Sequence, residues 1–338
     1  MSDTTAMLSV RPILKRGMLV AAANWQVTAI QSAADSIFKL LIAVPTVGGV
    51  VFMALMIGAE PEGLLSMEAR DLLATVVAAL LSQPLVLAAF GLSLTVVIGG
   101  GSAFMFLVKG GTIATLVEGE RMPAAPHSHD EHDPLARIAA TAAFGVDRFF
   151  DDCRRFFGRY TRLGLLLFAV YALSAGVFLA VGVALTDRGG LVTGAALSAV
   201  FVAWVTLVNL VYLLLQIIIV ADDCQVGTAV RRMAGAARGE WRMVAWIFIV
   251  VLGIVAAGTV ISIVAMGALS LIAFVPLVGL TVLPLQVAAW LFRSLVFQFI
   301  ELSAVGAYAN RFRAAQSPPT AEDLPFTARE AAGAQGAQ

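Results

Sequence analysis

Charged and amide side chains are rare in the long apolar runs of this sequence, and the few present are spaced to share helix faces. Gln286, Arg293 and Glu301 follow one another at intervals of seven and eight residues in the last run. Asn209 and Gln216 are seven residues apart in an earlier run. Because a charge inside a bilayer is costly, it marks a functional position by default. The five residues therefore predict a polar pathway or solute pocket between two helices. The alternative is interhelical hydrogen bonding that fixes packing, worth ~0.6–2 kcal/mol for each bond.

A second group with possible chemistry is a polar tract that contains all three histidines together with carboxylates: His127, His129 and His132 with Asp130, Glu131 and Asp133. Imidazole and carboxylate groups at this density can bind a transition metal weakly. However, Pro123 and Pro126 precede the tract, which favours a solvated, disordered loop. The apolar runs also lack the matching ligands that a metal transporter needs. We therefore expect no metal and no cofactor.

Two further segments combine an apolar helical stripe with arginines. The first has aromatic side chains at helical spacing with arginines at other positions: Phe149, Phe150, Phe156, Phe157, Arg155 and Arg159. The second ends in Trp241 and Arg242. A helix of this kind suits the headgroup layer of a membrane, which predicts contact with anionic lipid headgroups. The alternative is that both segments are elbows that lead into membrane spans.

The elements that must position these residues are membrane helices. Apolar residues make up 60% of the 338 residues and charged residues 13%, against about 25% charged in soluble domains. The chain is expected to be an all-α, polytopic membrane bundle with cytoplasmic amphipathic elbow helices. Residues 1–313 form a single transmembrane domain, and 314–338 a disordered tail. Runs near the ~20 residues that cross a bilayer predict six spans, at about 40–57, 85–108, 163–185, 191–220, 243–268 and 285–309.

Two proline-containing segments set the boundaries of these spans. Pro84 is expected to break the long second run, so that residues 66–84 can lie along the outer interface. Pro276, Gly279 and Pro284 are expected to mark the turn before the last span.

The distribution of Lys and Arg predicts the orientation. With six spans, the predicted outer side carries only Arg70 and Arg188, while the other loops, the N-terminal segment and the tail are rich in basic residues. Since cytoplasmic loops carry the excess of positive charge, both termini are expected in the cytoplasm, in a bacterial inner membrane. The net charge of +0 gives no reason to expect a nucleic-acid partner.

Several short stretches resemble a known family. They are 219–223 (IVADD), 226–232 (VGTAVRR), 239–242 (GEWR) and 307–313 (AYANRFR), with 110–113 (GGTI) and Gly119-Glu120 in the first half. They are similar to bacterial six-helix membrane proteins related to the membrane domain of glycerophosphodiester phosphodiesterases, over about residues 100–313. The resemblance implies a membrane module without a phosphodiesterase activity, because no soluble catalytic domain or cluster of metal-binding carboxylates accompanies it.

No catalytic constellation is recognisable in the sequence, so we expect a non-enzymatic membrane factor or scaffold. A transporter or channel for a small solute, which would use the polar stripe of the last span, is the alternative. An enzyme that acts on lipids is the third possibility. The lipid bilayer is the one partner that the composition predicts directly.

Overall fold

The computed structural model describes residues 2–56, 82, 84–122, 141–185, 191–273 and 278–316, and almost all of them are helical. Seven helices follow one another in this part of the chain: α1 (Ser2–Ala23), α2 (Trp25–Met56), α3 (Pro84–Arg121), α4 (Val146–Leu185), α5 (Leu191–Ala221), α6 (Val226–Ala273) and α7 (Val278–Gln316). The segment predicted along the outer interface lies almost entirely outside the described residues.

Six of these helices are long and apolar enough to cross a membrane. The candidate spans within α2 to α7 are Trp25–Gly49, Leu87–Arg121, Val146–Ala184, Val192–Ala221, Met243–Ala268 and Pro284–Arg313. The predicted all-α, multi-pass membrane bundle is therefore confirmed. The predicted elbows are continuous with the spans that follow them, since α4 runs for 40 residues and α6 for 48 residues.

The expected turn before the last span was wrong at two of its three positions. Helix α7 begins at Val278, so Gly279 and Pro284 lie inside it. A proline near the start of a helix removes only one backbone donor, and neighbouring membrane helices can compensate for that loss. Pro284 therefore does not mark the start of α7.

Burial is concentrated at one end of every spanning helix. The buried residues lie in the N-terminal parts of α2, α4 and α6 and in the C-terminal parts of α3, α5 and α7. This alternation means that consecutive helices run in opposite directions. We call this region the packed end, and its largest fully buried side chains include Tyr160, Tyr308, Leu116, Leu163, Ile217 and Ile247.

The opposite part of the six helices, which we call the open end, is largely exposed. It consists of the described residues 37–49, 84–85, 87–100, 165–184, 192–209, 249–268 and 284–296. Contacts there and at its border join consecutive helices into three hairpins. The Phe90 ring lies against Gly49, the Phe178 and Phe201 rings stack 4.4 Å apart, and at the border the Phe297 ring approaches Gly258.

Helix α1 closes the packed end and lies against α7. A Cβ atom at Gly17 would come within 2.7 Å of the Ala307 backbone nitrogen and would overlap the Ser303 carbonyl, so only glycine allows this approach. Asn24 separates α1 from α2. Its Oδ1 accepts hydrogen bonds from the backbone nitrogens of Ala143 (2.8 Å) and Phe144 (3.0 Å), which ties this joint to the start of α4.

A buried carboxylate also joins three helices at the packed end. Glu120 of α3 is 3% exposed and accepts hydrogen bonds from Arg16 Nε at 3.1 Å and Asn310 Nδ2 at 2.6 Å. Arg313 donates to the Glu120 backbone carbonyl at 2.6 Å. Helices α1, α3 and α7 therefore share one polar junction, and the charge of Glu120 is paired although it is buried.

Candidate functional site

An ion pair between two spanning helices lies at the centre of the candidate site. Lys109 Nζ of α3 is 3.4 Å from Glu301 Oε1 of α7. Gly110 and Gly111 follow the lysine, and both face α4. A Cβ at Gly111 would lie 2.5 Å from Cys153 Sγ and 2.8 Å from the Phe149 carbonyl, so α3 packs closely on α4 at this level because residue 111 has no side chain.

A cavity of about 410 Å³ extends from this ion pair between α5, α6 and α7. Lys109 and Glu301 are the charged residues of its lining, and the polar residues are Asn209, Tyr212, Gln216, Gln298 and Tyr308. The remaining wall is aliphatic and aromatic, with Phe248, Val251, Leu252, Val255 and Phe297. A size of ~300–1,000 Å³, apolar walls and a few polar groups characterise small-molecule sites.

Two residues of this lining carry a buried polar atom without a hydrogen-bond partner among the described residues. These atoms are Gln298 Oε1 and the Tyr308 hydroxyl oxygen. Tyr308 is 1% exposed. The Gln216 amide, by contrast, is hydrogen-bonded to Tyr212. A buried, unpaired polar group costs about 1–3 kcal/mol, so two such groups beside one cavity favour a functional role over a purely structural one.

The same ion pair borders a second, much smaller space. This chamber of about 10 Å³ is lined by Gln31 of α2 and Thr112 of α3, and it shares Lys109, Leu213, Gln216 and Glu301 with the cavity. The Thr112 hydroxyl donates to Gln31 Oε1 at 3.1 Å, whereas Gln31 Nε2 has no partner in the described part of the chain. The four shared residues thus form a partition between the cavity and the chamber.

The structure brings together only part of the polar set predicted from the sequence. Glu301, Asn209 and Gln216 line the cavity. Arg293 does not line it; this residue is exposed, and its guanidinium carbon lies 5.5 Å from the centre of the Phe297 ring. Gln286 is half-buried and is also absent from the lining. Asn209 accepts a hydrogen bond from the Tyr171 hydroxyl at 2.7 Å, which fixes its amide group.

Three residues of the site were missed by sequence reasoning. Lys109 lies one residue beyond the predicted span 85–108, because a lysine at the end of an apolar run is typical of a helix terminus, but α3 continues to Arg121. The buried positions Ile113, Leu116 and Val117 keep a helical spacing beyond Lys109 and could have shown the continuation. Gln298 lies three residues before Glu301, which is itself a sign of a shared face. No signal in the sequence distinguished Tyr308 from a tyrosine that lies at the membrane–water interface.

The aromatic elbow faces the protein at its central positions. Phe149 and Phe156 are buried at 4% and 3% exposure, Phe157 is half-buried, and Phe150 remains exposed at 58%. This burial supports the interpretation of the segment as an elbow. Trp241 and Arg242 belong to α6, but their side chains are outside the described part. Contact with anionic headgroups stays a prediction.

The arginines of the elbow bind the turn between α5 and α6. Arg155 and Arg159 both pair with the Asp223 carboxylate. Hydrogen bonds from both arginines lower the pKa of Asp223 below its usual value, and the one from Arg159 has the larger effect. Asp223 also adopts a positive φ of 48°, a conformation that Asp and Asn tolerate better than most residues. The elbow therefore acts as a clamp on this turn.

The histidine tract, with His127, His129 and His132, lies outside the described residues. Within the described part of the chain, no group of three or more His, Cys, Asp or Glu side chains could hold a metal ion.

Comparisons with protein-family models, with curated proteins and with solved structures find no match for this chain. The resemblance to the membrane domain of glycerophosphodiester phosphodiesterases therefore stays a prediction. The cavity and its ion pair carry the functional interpretation.

Proposed function

We propose that this multi-pass membrane protein is a non-enzymatic binding protein whose cavity between α5, α6 and α7 holds a small amphipathic solute. The observation that carries the proposal is that Gln298 and Tyr308, each with a polar atom unpaired among the described residues, line the same cavity as the Lys109–Glu301 pair. A solute with polar and apolar parts would complete the hydrogen bonds and cover the apolar wall.

The position of the cavity supports access from the bilayer. Its inner boundary is the packed end, where Gln216 and Tyr308 are buried. Towards the open end its lining reaches Asn209 and Leu252, which are exposed. An amphipathic molecule can thus enter with its polar part first while its apolar part stays beside the exposed helix surfaces.

The test is to purify the protein in nanodiscs, extract the small molecules bound to it and identify them by mass spectrometry. Tyr308→Phe and Gln298→Leu should each reduce the retained molecule at least tenfold. Tyr308→Phe should leave the thermal stability of the emptied protein unchanged or higher, because the lost hydroxyl has no partner among the described residues.

Two matched controls accompany this test. Tyr171→Phe also removes a hydroxyl, but one that donates to Asn209, so it should lower stability and leave retention nearly intact. Arg293→Gln changes a charge of α7 outside the cavity and should change neither quantity. Full retention by both Tyr308→Phe and Gln298→Leu, or no retained molecule in any preparation, would contradict the proposal.

Transport of the solute is a second candidate function, and the partition favours it. Lys109 and Glu301 belong to the four residues between the cavity and the chamber beside Gln31 and Thr112, so a break of their ion pair would weaken this partition. Trans-stimulated flux of the identified solute in proteoliposomes would support transport, provided that Glu301→Gln abolishes it and Arg293→Gln does not. Binding without flux would leave the protein as a binding factor.

The packed end is proposed to face the cytoplasm of a bacterial inner membrane. The N-terminus, the histidine-containing loop and the C-terminal tail all follow or precede helices at this end, and the basic residues predict the same side. In a variant without Cys153 and Cys224, a membrane-impermeant maleimide added to intact cells should label Asp187→Cys but not Ser128→Cys. Labelling of Ser128→Cys but not of Asp187→Cys would show the opposite orientation.

A further inference from the structure

The charges of the cavity lining are balanced and held close together. Lys109 and Glu301 are its charged residues, and they lie 3.4 Å apart. A ligand with a single charge would pair with one of them and leave the other without its partner. In a region of low dielectric constant, an unpaired charge of this kind is strongly unfavourable. The lining therefore disfavours simple anions and simple cations alike.

Hydrogen-bond donors and acceptors are also separated between the walls of the cavity. Lys109 of α3 carries the ammonium group, whereas the Gln216 amide of α5 is hydrogen-bonded to Tyr212. On α7, Gln298 has an amide oxygen without a partner among the described residues, three residues before the Glu301 carboxylate, which places both acceptors on one helix face. An anionic group fits the donor on α3, and an ammonium group fits the acceptors on α7.

We propose that the ligand is an amphipathic zwitterion, with an ammonium group and a carboxylate or phosphate group at one end and an apolar group at the other. This inference rests on the proposed function. The zwitterion exchanges partners with the ion pair: its anionic group binds Lys109 and its ammonium group binds Glu301, so no charge remains alone. The apolar group lies along Phe248, Val251 and Phe297.

Two sources supply this chemistry, and the choice of probes separates them. Phenylalanine represents a free apolar amino acid, with N-acetylphenylalanine as its anionic analogue and phenethylamine as its cationic analogue. Short-chain phosphatidylethanolamine represents a lipid headgroup, with short-chain phosphatidic acid as the anionic analogue. Binding of each probe is measured by calorimetry with the full-length protein in phosphatidylcholine nanodiscs, whose quaternary ammonium has no N–H group to donate.

The expected result is that one zwitterion binds at least tenfold more tightly than its singly charged analogues. Glu301→Gln leaves the site with a positive charge and should move the preference to the anionic analogue. Lys109→Gln should move it to the cationic analogue of phenylalanine. If either single variant fails to fold, the double variant Lys109→Gln/Glu301→Gln, with neither charge, should lose the preference for the zwitterion. Arg293→Gln should keep the wild-type preference.

Failure of this inference differs from failure of the proposed function. A singly charged analogue that binds as tightly as the zwitterion, or a preference that survives both charge changes, would overturn the zwitterion alone. If the molecule extracted from the nanodiscs carries no ammonium group, the zwitterion is likewise excluded while the binding function stands. If no probe binds and no molecule is retained, both proposals are wrong.

Discussion

The two ends of the six-helix bundle differ in how their helices are held. At the packed end, each spanning helix contributes buried side chains, and paired charges such as Arg16 and Glu120 join the helices. At the open end the hairpins are held by separate contacts such as the Phe178–Phe201 stack. Since lipid tails are as apolar as the side chains they replace, exposed helix surfaces are acceptable there. The packed end is therefore the rigid part of the bundle and the open end gives access, with the cavity between them.

The largest expected effect comes from a truncation of the same aromatic residue type at each end. Phe156→Ala removes a ring that is 3% exposed at the packed end, and should lower the free energy of unfolding by about 3–5 kcal/mol. Phe178→Ala removes a half-buried ring at the open end, where lipid can fill the space, and should lower it by about 0.5–1.5 kcal/mol. Unfolding in bicelles measures both values, and equal losses would refute the distinction between the two ends.

A smaller but still large effect is expected from the buried carboxylate. Glu120→Ala leaves Arg16 without its partner, and breaking such a pair costs about 3–5 kcal/mol when it is fully buried. Because the Arg16 side chain is 22% exposed, about 2–3 kcal/mol is expected here. The control is Glu118→Ala, whose pairs with Arg121 and Arg148 are more exposed and worth about 0–1 kcal/mol. A loss after Glu118→Ala as large as after Glu120→Ala would show that burial does not set the value.

The close approach of α1 to α7 gives a third test of the packed end. Gly17→Ala forces a methyl group against the Ser303 and Ala307 backbones and should cost about 1–3 kcal/mol through displacement of α1. Gly158→Ala is the matched control, because its Cβ meets nothing within 4 Å and a helical alanine is favoured by about 0.5–1 kcal/mol. The melting temperature in detergent should therefore fall for Gly17→Ala and rise for Gly158→Ala. A Gly17→Ala protein as stable as the wild type would mean that α1 does not depend on this contact.

The presence of six long apolar helices was predictable from the sequence, and the site only in part, for a physical reason. Hydrophobic length is a local property, so the six spans are visible as apolar runs. Whether a polar residue of a span faces a cavity depends on helix rotation and on partners distant in sequence. Glu301 and Lys109 are separated by 192 residues, and Lys109 was interpreted through the general rule for helix ends. Arg293 showed the opposite case, since its charge in an apolar run predicted a site and its side chain is exposed.

The smallest expected effect concerns the pH dependence of the clamp at the packed end. Hydrogen bonds from Arg159 and Arg155 lower the pKa of Asp223 in the folded protein, so the contribution to stability is present above the ordinary Asp pKa of about 3.9. It is lost as the pH falls through the lowered folded-state pKa. The Asp223 carboxylate is 46% exposed, which limits the contribution to about 0–1 kcal/mol.

The matched variant for this clamp is Asp223→Asn, because asparagine also tolerates the positive φ at this position. Wild type should be slightly more stable than the variant at pH 7. The difference in melting temperature should shrink below about pH 4, where the carboxylate of the unfolded chain becomes protonated, and should vanish below the lowered pKa of the folded protein. A difference that stays constant from pH 7 to strongly acidic pH would contradict a charge-based clamp. Asp223 would then hold the turn through the shape of its side chain, and the elbow would contribute to the packed end through buried side chains such as Phe149 and Phe156.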